Sequence, residues 1–363
     1  MIINGFCKMI VIVIFFIALH TIFPVVGAAE ESMLPEAPVY VDGQPINTKY
    51  MLKDGHFMVP ALFLKHTGAR VDWNEEYNSV TFRLDDKYFA VPIGTRYTDT
   101  LLPGTEKWVR DTLSTSTVEV HQDIFVPLND IAKKLGMEVV YRQQTRKTYI
   151  NTQRELGKGP IRSGRSNADR KLVALTFDDG PENHYTSQIL DILKEKRVPA
   201  TFFVMGKQVR QYPTMMKRMV EEGHGIGNHT FNHPSLPQLS TSEVMREVET
   251  TQQTLQWITG RQPDLFRPPY GAITRADQEV LNEMGFRTIM WTVDTLDWTG
   301  ISGQEILDIV RRDITPGGII LQHNIEVNPD LLRGTVEALP MIIDELRDRG
   351  YQFVTVQTML EAQ

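Results

Sequence analysis

Residues 171–183 read KLVALTFDDGPEN. The first seven are apolar and rich in β-formers, which predicts a strand. Two adjacent carboxylates, Asp178 and Asp179, stand at its end, and Gly180-Pro181 signals a turn. Like charges side by side repel, so a cation or basic group is expected to offset them.

The strand is the first of a series. Further strand patterns read at 200–206 (ATFFVMG), 224–230 (HGIGNHT), 264–269 (DLFRPP), 286–293 (FRTIMWTV), 317–323 (GGIILQH) and 351–357 (YQFVTVQ). Between them apolar residues recur at helical spacing, as in 186–197, 241–258, 303–314 and 335–350. Seven strand–helix units after residue 171 predict an α/β domain built on a parallel sheet or barrel. In such folds sites form at the C-terminal ends of the strands.

The reactive side chains fall at those ends. Asp178-Asp179 close the first strand; His229 and His233 (GNHTFNHP) follow the third; Arg267 and Tyr270 (RPPYG) follow the fourth; Asp297 and Trp298 (DTLDW) follow the fifth; His323 (LQHN) ends the sixth. His229 and His233 are four residues apart. Zn–N bonds of about 2.0–2.1 Å place tetrahedral ligand atoms roughly 3.3 Å from each other, whereas four extended residues span about 13 Å. One helical turn brings i and i+4 to one face, and Pro234 disfavours helix at His233. A single turn stopping at His233 is therefore expected. A third ligand comes from one aspartate of the pair, and a divalent ion there acidifies a nearby water. The other aspartate then accepts the water's proton and His323 protonates a leaving group. Arg267 can grip a carboxylate in its bidentate fork, and Asp297 can orient and charge His323. Spacing does not decide which aspartate is ligand and which is base.

TFDDGP, HTFNHP, RPPY, DTLDW and LQHN, in this order across residues 171–360, resemble the NodB-homology polysaccharide deacetylases, carbohydrate esterase family 4. The resemblance implies a distorted (β/α)7 barrel and hydrolysis of N-acetyl groups. It implies Asp178 as base, with Asp179, His229 and His233 as metal ligands. Arg267 orients the base, the Tyr270 N–H donates to the oxyanion, Asp297 tunes the acid His323, and Tyr270, Trp298 and Leu321 contact the substrate. Zinc is the expected ion, and cobalt or nickel suits the same ligands. Two departures from the family pattern, Asn324 after the acid and Ile320 before Leu321, bear on substrate range. His184 and His224 have no motif support and read as surface or structural residues.

Ahead of the barrel one pattern occurs twice. Val59-Pro60 matches Val126-Pro127, Gly68 matches Gly136, Val71 matches Val139 and Trp73 matches Tyr141, with one residue inserted before the second glycine. Each copy reads as a short helix, a glycine stop and a strand pair. Such duplication builds one compact α+β unit, here residues 31–152. The copies, over residues 38–151, resemble the copper-amine-oxidase N-terminal-like repeats of exported proteins. His56 and His66 are isolated, so no copper site is expected; a structural or wall-associating role is. Residues 153–170 are polar with scattered Gly, Pro and Ser and read as a linker to the catalytic domain, 171–363.

The 363 residues carry a net charge of −7, which argues against nucleic acid as partner. Lys8 precedes an apolar run from Met9 to Leu19, and small residues at Val26 and Ala28 fit a secretory signal, residues 1–28, cleaved after Ala28. An uncleaved anchor over 9–26 is the alternative. Cys7, the only cysteine, would leave with the signal, so the mature chain has no disulfide or thiol chemistry. A secreted or wall-associated enzyme acting on N-acetylglucosamine of peptidoglycan is expected. The alternatives are a chitin or chitooligosaccharide deacetylase and an inactive glycan-binding wall protein.

Overall fold

The computed structural model describes residues 34–155, 157–164, 170–325, 328 and 330–361. The expected export signal, with Cys7, and part of the expected linker lie outside them. No helix among the described residues is long and apolar enough to cross a membrane.

The duplicated pattern folds as its sequence predicts. Each copy has a strand, a helical turn, a left-handed glycine and a hairpin. Strands His56–Pro60 and Asp123–Pro127 pair antiparallel with Val59 opposite Val126. The two copies therefore meet at equivalent residues, which relates them by a local two-fold. The first copy uses a 3-10 helix, Ala61–Thr67, ended by Gly68 at φ 95°. The second uses an α-helix, Leu128–Lys134, with Gly136 at φ 81°; its extra residue, Leu135, stands between the helix and that glycine. Val59, Val126, Leu64, Ile131, Val71 and Phe82 share one core. Beyond the repeat, the first hairpin, Arg70–Asn74 with Ser79–Leu84, extends through Lys87–Pro92, Tyr97–Leu101 and Trp108–Thr112 into a five-stranded antiparallel meander.

The second half is a parallel α/β barrel. Its sheet runs Arg287–Thr288, Leu265–Phe266, Gly225–Asn228, Thr201–Val204, Lys171–Asp179, Gly318–His323, Val293–Asp294, and Tyr351–Phe353 adds beside the start of Lys171–Asp179. The strand expected over 286–293 is broken in two. Its first part pairs with one edge of the sheet and its last part with the other, so this segment closes the barrel. The reason lies in its middle: the carbonyls of Ile289 and Met290 accept from Nε and Nη2 of Arg267 (both 3.2 Å) and are lost to a strand partner. Ile161, from the region read as a linker, bridges to Ile289 in parallel. The predicted helices appear as Tyr185–Lys196, Thr241–Thr259, Gly303–Asp313 and Arg333–Asp348. The last predicted strand ends early, and a helix, Val356–Glu361, takes over.

Candidate active site

Strand Lys171–Asp179 brings both aspartates to the rim, but simple alternation along a strand would send one of them to the far face. Asp179 instead has φ 81°, a conformation that favours glycine, and this turns its carboxylate back into the cleft. Asp179, His229 and His233 present ligand atoms within 4.8 Å of one another, the only such group found among the described residues. Oδ1 of Asp179 lies 3.4 Å from Nε2 of His229 and 3.3 Å from Nε2 of His233.

The loop that brings the two histidines together is not the helical turn expected. Thr230 and His233 both have left-handed backbone, φ 67° and 65°. The bend is closed by the His233 N–H donating to Thr230 Oγ1 at 3.1 Å. A proline after His233 disfavours helical backbone there, and two left-handed residues achieve the same convergence. Glu247, on the helix Thr241–Thr259, accepts from the N–H groups of Phe231 and Asn232 and holds the loop from outside.

These residues fit a divalent cation. Nδ1 of His229 lies 2.7 Å from the Arg267 carbonyl, which can only accept, so Nδ1 carries the proton and the Nε2 lone pair faces the site. Oδ1 of Asp179 is buried without a hydrogen-bond partner, as a ligand atom awaiting a cation would be. Burial alone would raise the Asp179 carboxyl; the surrounding imidazoles of His229, His323 and His233 outweigh it and hold its pKa at about 2. His233 is lowered, by burial first and then by the neighbouring His229.

Asp178 sits beside this group, its Oδ2 3.9 Å from Nε2 of His229. Its Oδ1 is held at 2.7 Å by Nη1 of Arg267. The expected bidentate fork does not form. Arg267 is wholly buried and divides its donors among Asp178, Thr176 Oγ1 (2.8 Å) and the carbonyls of Ile289 and Met290. The barrel-closing carbonyls compete for the fork, and one oxygen of Asp178 stays free. Phe203 lies against the guanidinium, 4.0 Å from its ring centroid.

Across the cleft, Nδ1 of His323 meets Oδ1 of Asp297 at 2.7 Å. The other Asp297 oxygen accepts from the His323 N–H and Thr335 Oγ1, both at 2.8 Å. Burial opposes the charge on His323, but Asp297, then Asp179 and Asp178, raise its pKa to about 9. Asp297 accepts the hydrogen bond from Nδ1–H, so Nε2–H is the one left to give.

The cleft, about 390 Å³, is lined by Asp178, Asp179, His229, His233, Tyr270, Trp298, Leu321 and His323. Each residue given a catalytic, ligand or substrate role from the sequence lines the cleft or, like Arg267 and Asp297, braces one that does. Tyr270 is 71% exposed with φ 58°. The hydrogen bonds of its turn run from Gly271 and Ala272, leaving the Tyr270 N–H unused by it. Trp291, Asp294, Leu331 and Leu332 also line the cleft and were not singled out. Trp291 was hidden in a segment that reads as an ordinary strand. Asn324 does not reach the cleft. It is buried, accepts from the Gly180 N–H and donates to Thr186 Oγ1, bracing the turn after Asp179. Ile320 lies in the core between sheet and helices. Neither position supports a role in substrate range. His224 is buried and its Nδ1 accepts from the Ala200 N–H; burial lowers its pKa to about 4. His184 stacks on Tyr185.

A parallel barrel with an Asp/His/His group between a braced carboxylate and a charged imidazole defines a hydrolase with a candidate metal site. A family model described as polysaccharide deacetylase matches residues 165–289, and one described as copper amine oxidase N-terminal domain matches residues 40–150. The peptidoglycan-N-acetylglucosamine deacetylase of Bacillus cereus is 41% identical over 189 residues, covering 52% of this chain and 68% of that protein. The peptidoglycan-N-acetylmuramic acid deacetylase PdaC of Bacillus subtilis is 40% identical over 193 residues, covering 53% of this chain and 39% of that protein. The crystal structure of the Bc1960 peptidoglycan N-acetylglucosamine deacetylase matches with a TM-score of 0.53 at 39% identity, covering 55% of this chain and 92% of that one. The chain belongs to the polysaccharide deacetylase family of hydrolases.

Proposed function

We propose that the protein is an exported, metal-dependent deacetylase of peptidoglycan, removing acetyl groups from N-acetylglucosamine units. The observation that carries this reading is the placement of two proton carriers of opposite kind around one ligand group: Asp178, held by Arg267, and His323, held by Asp297. Asp179, His229 and His233 would hold a divalent cation, which when bound would supply Lewis-acid chemistry toward the acetyl carbonyl and a water; zinc suits these ligands, and cobalt or nickel does too. Asp178 takes the proton of the attacking water through its free oxygen. The Tyr270 N–H donates to the oxygen of the tetrahedral intermediate. Trp298 and Leu321 wall the acetyl group. Nε2–H of His323 protonates the departing amine, and acetate and a free amino sugar result. Export rests on the apolar run after Lys8.

The experiment is acetate release from purified peptidoglycan and from chitin oligomers, each with zinc and with chelator, followed by identification of the amino sugar freed. Acetate from peptidoglycan, abolished by chelator, with glucosamine as product is expected. Muramic acid as product would move the activity to the other sugar of the wall, and preference for chitin oligomers would replace the substrate. An inactive glycan-binding protein would release no acetate; the presence of Asp178, Asp179, His229, His233 and His323 together stands against that reading.

A further inference from the structure

Lys65 lies in the 3-10 helix Ala61–Thr67 of the repeat region, and its side chain is 0% exposed. In the second copy the matching place, counted from the shared Val-Pro, is Ala132, buried in that copy's core. A charge is therefore no requirement of the repeat fold, and a buried ammonium is costly unless its protons are all taken. They are taken by the barrel. Nζ donates to the carbonyls of Leu236 at 2.8 Å and Leu239 at 2.6 Å, and pairs with Asp277 Oδ1 at 2.7 Å.

Both anchors belong to chain segments that carry the site. Leu236 comes three residues after His233, in the stretch that leads from the histidine loop into the helix Thr241–Thr259. The other oxygen of Asp277 caps the helix Arg275–Glu283 by accepting from Thr274 N–H, just beyond the Tyr270 turn. The repeat region also grips the start of the first of these helices: Thr241 Oγ1 accepts from the Val71 N–H, and Asp72 accepts from the Ser242 N–H. Glu247 fixes the histidine loop on one side; on the other, the Leu236 carbonyl is shared between the Leu239 N–H, at 3.1 Å, and Lys65.

We propose that Lys65 is a positioning residue for the metal-ligand loop: it fixes, from the repeat region, the backbone that leaves His233. The repeat is then part of what makes the site competent, not only an attachment module. This rests on the reading of Asp179, His229 and His233 as ligands.

The test is titration of the metal-free full chain with Co²⁺, reading affinity and the visible ligand-field spectrum together with the melting temperature. Three variants are compared with the natural protein: Lys65→Met, the double variant Lys65→Met with Asp277→Asn, and Arg275→Ala. The last breaks the peripheral contacts of Arg275 to Asp42 and Thr152. Lys65→Met is expected to weaken Co²⁺ binding about 10–100-fold, the range found when a group behind metal ligands is lost, and to change the spectrum. Arg275→Ala is expected to lower the melting temperature and leave the spectrum and affinity as they were. Where Lys65→Met does not fold, the double variant, which leaves no unpaired buried charge, is read in its place. Natural affinity and spectrum in a folded Lys65 variant overturn the proposal, as does equal weakening by Arg275→Ala. Failure of the natural protein to bind Co²⁺ at all instead overturns the ligand assignment itself.

Discussion

Asp178 and Asp179 are chain neighbours with separate tasks because one backbone angle parts them. Asp179 at φ 81° swings its carboxylate toward the histidines, while Asp178 keeps its strand geometry and meets Arg267. Replacing Asp178 by Asn should cut kcat by about 10²–10⁴-fold, the usual worth of a general base, with the metal content unchanged. His229→Ala should instead lose the metal. Elemental analysis beside acetate release separates the two, and a fast Asp178→Asn enzyme with full metal would remove Asp178 from the chemistry. The acid has its own signature. His323, raised to about 9 mainly by Asp297 against burial, holds its proton at neutral pH and loses it as pH rises through that value. Deacetylation should therefore fall on the alkaline side. Asp297→Asn removes the anion that favours the imidazolium, so the alkaline limb should move to lower pH. A bound cation lowers the limb in both proteins, so the difference between them is the measurement; an unmoved limb would mean that another group sets it.

At the scale of elements, the rim of the site is made by loops that sequence rules describe poorly. Asp179, Thr230, His233, Tyr270 and Leu296 all have left-handed backbone without being glycine, and such residues gather where strain serves a site. Which strand ends carry chemistry was legible, because polar motifs interrupt apolar strands at each of them. The path of the loops was not: an i, i+4 histidine pair suggests a helical turn, and only tertiary contacts such as Glu247 to Phe231 and Asn232 select the bend that forms. Nor could the strand pattern at 286–293 reveal a break that depends on Arg267, distant in sequence, claiming its carbonyls. The Tyr270 turn offers a test at this scale. Gly271 has φ 65°, and a Cβ there would lie 2.9 Å from Cη2 of Trp291, a residue of the cleft. Gly271→Ala should cost about 1–2 kcal/mol from the left-handed backbone alone and raise KM by displacing Trp291. Thermal unfolding and steady-state kinetics check both, and an unchanged KM would show that the ring moves away freely.

For the whole molecule, the two family matches suggest separable parts, yet residues 35–363 form one compact unit. What joins them decides how they unfold. Arg70–Glu283, Arg154–Glu279 and Arg275–Asp42 cross between the parts with partners that keep part of their surface in solvent, and such pairs contribute roughly 0–1 kcal/mol each. Lys65–Asp277 is different, being fully buried on both sides. Removing one partner would leave the other charge unpaired in the interior, at about 3–5 kcal/mol; separating the two parts instead returns both charges to water, so the coupling rests on the packed face around the pair, where Ala61–Thr67 meets Arg275–Glu283 and Leu236–Gln238. Strong coupling of that kind makes unfolding of either part unfold the other. Calorimetry of the full chain should then show one transition for residues 35–363, with calorimetric and van't Hoff enthalpies equal. Salt screens the exposed pairs and leaves the buried one nearly untouched, so the single transition should persist from low to high ionic strength. Two resolved transitions at low salt would mean that repeat and barrel are joined only by the weak outer pairs; a split appearing only at high salt would place the coupling in those pairs and not in the packed face around Lys65.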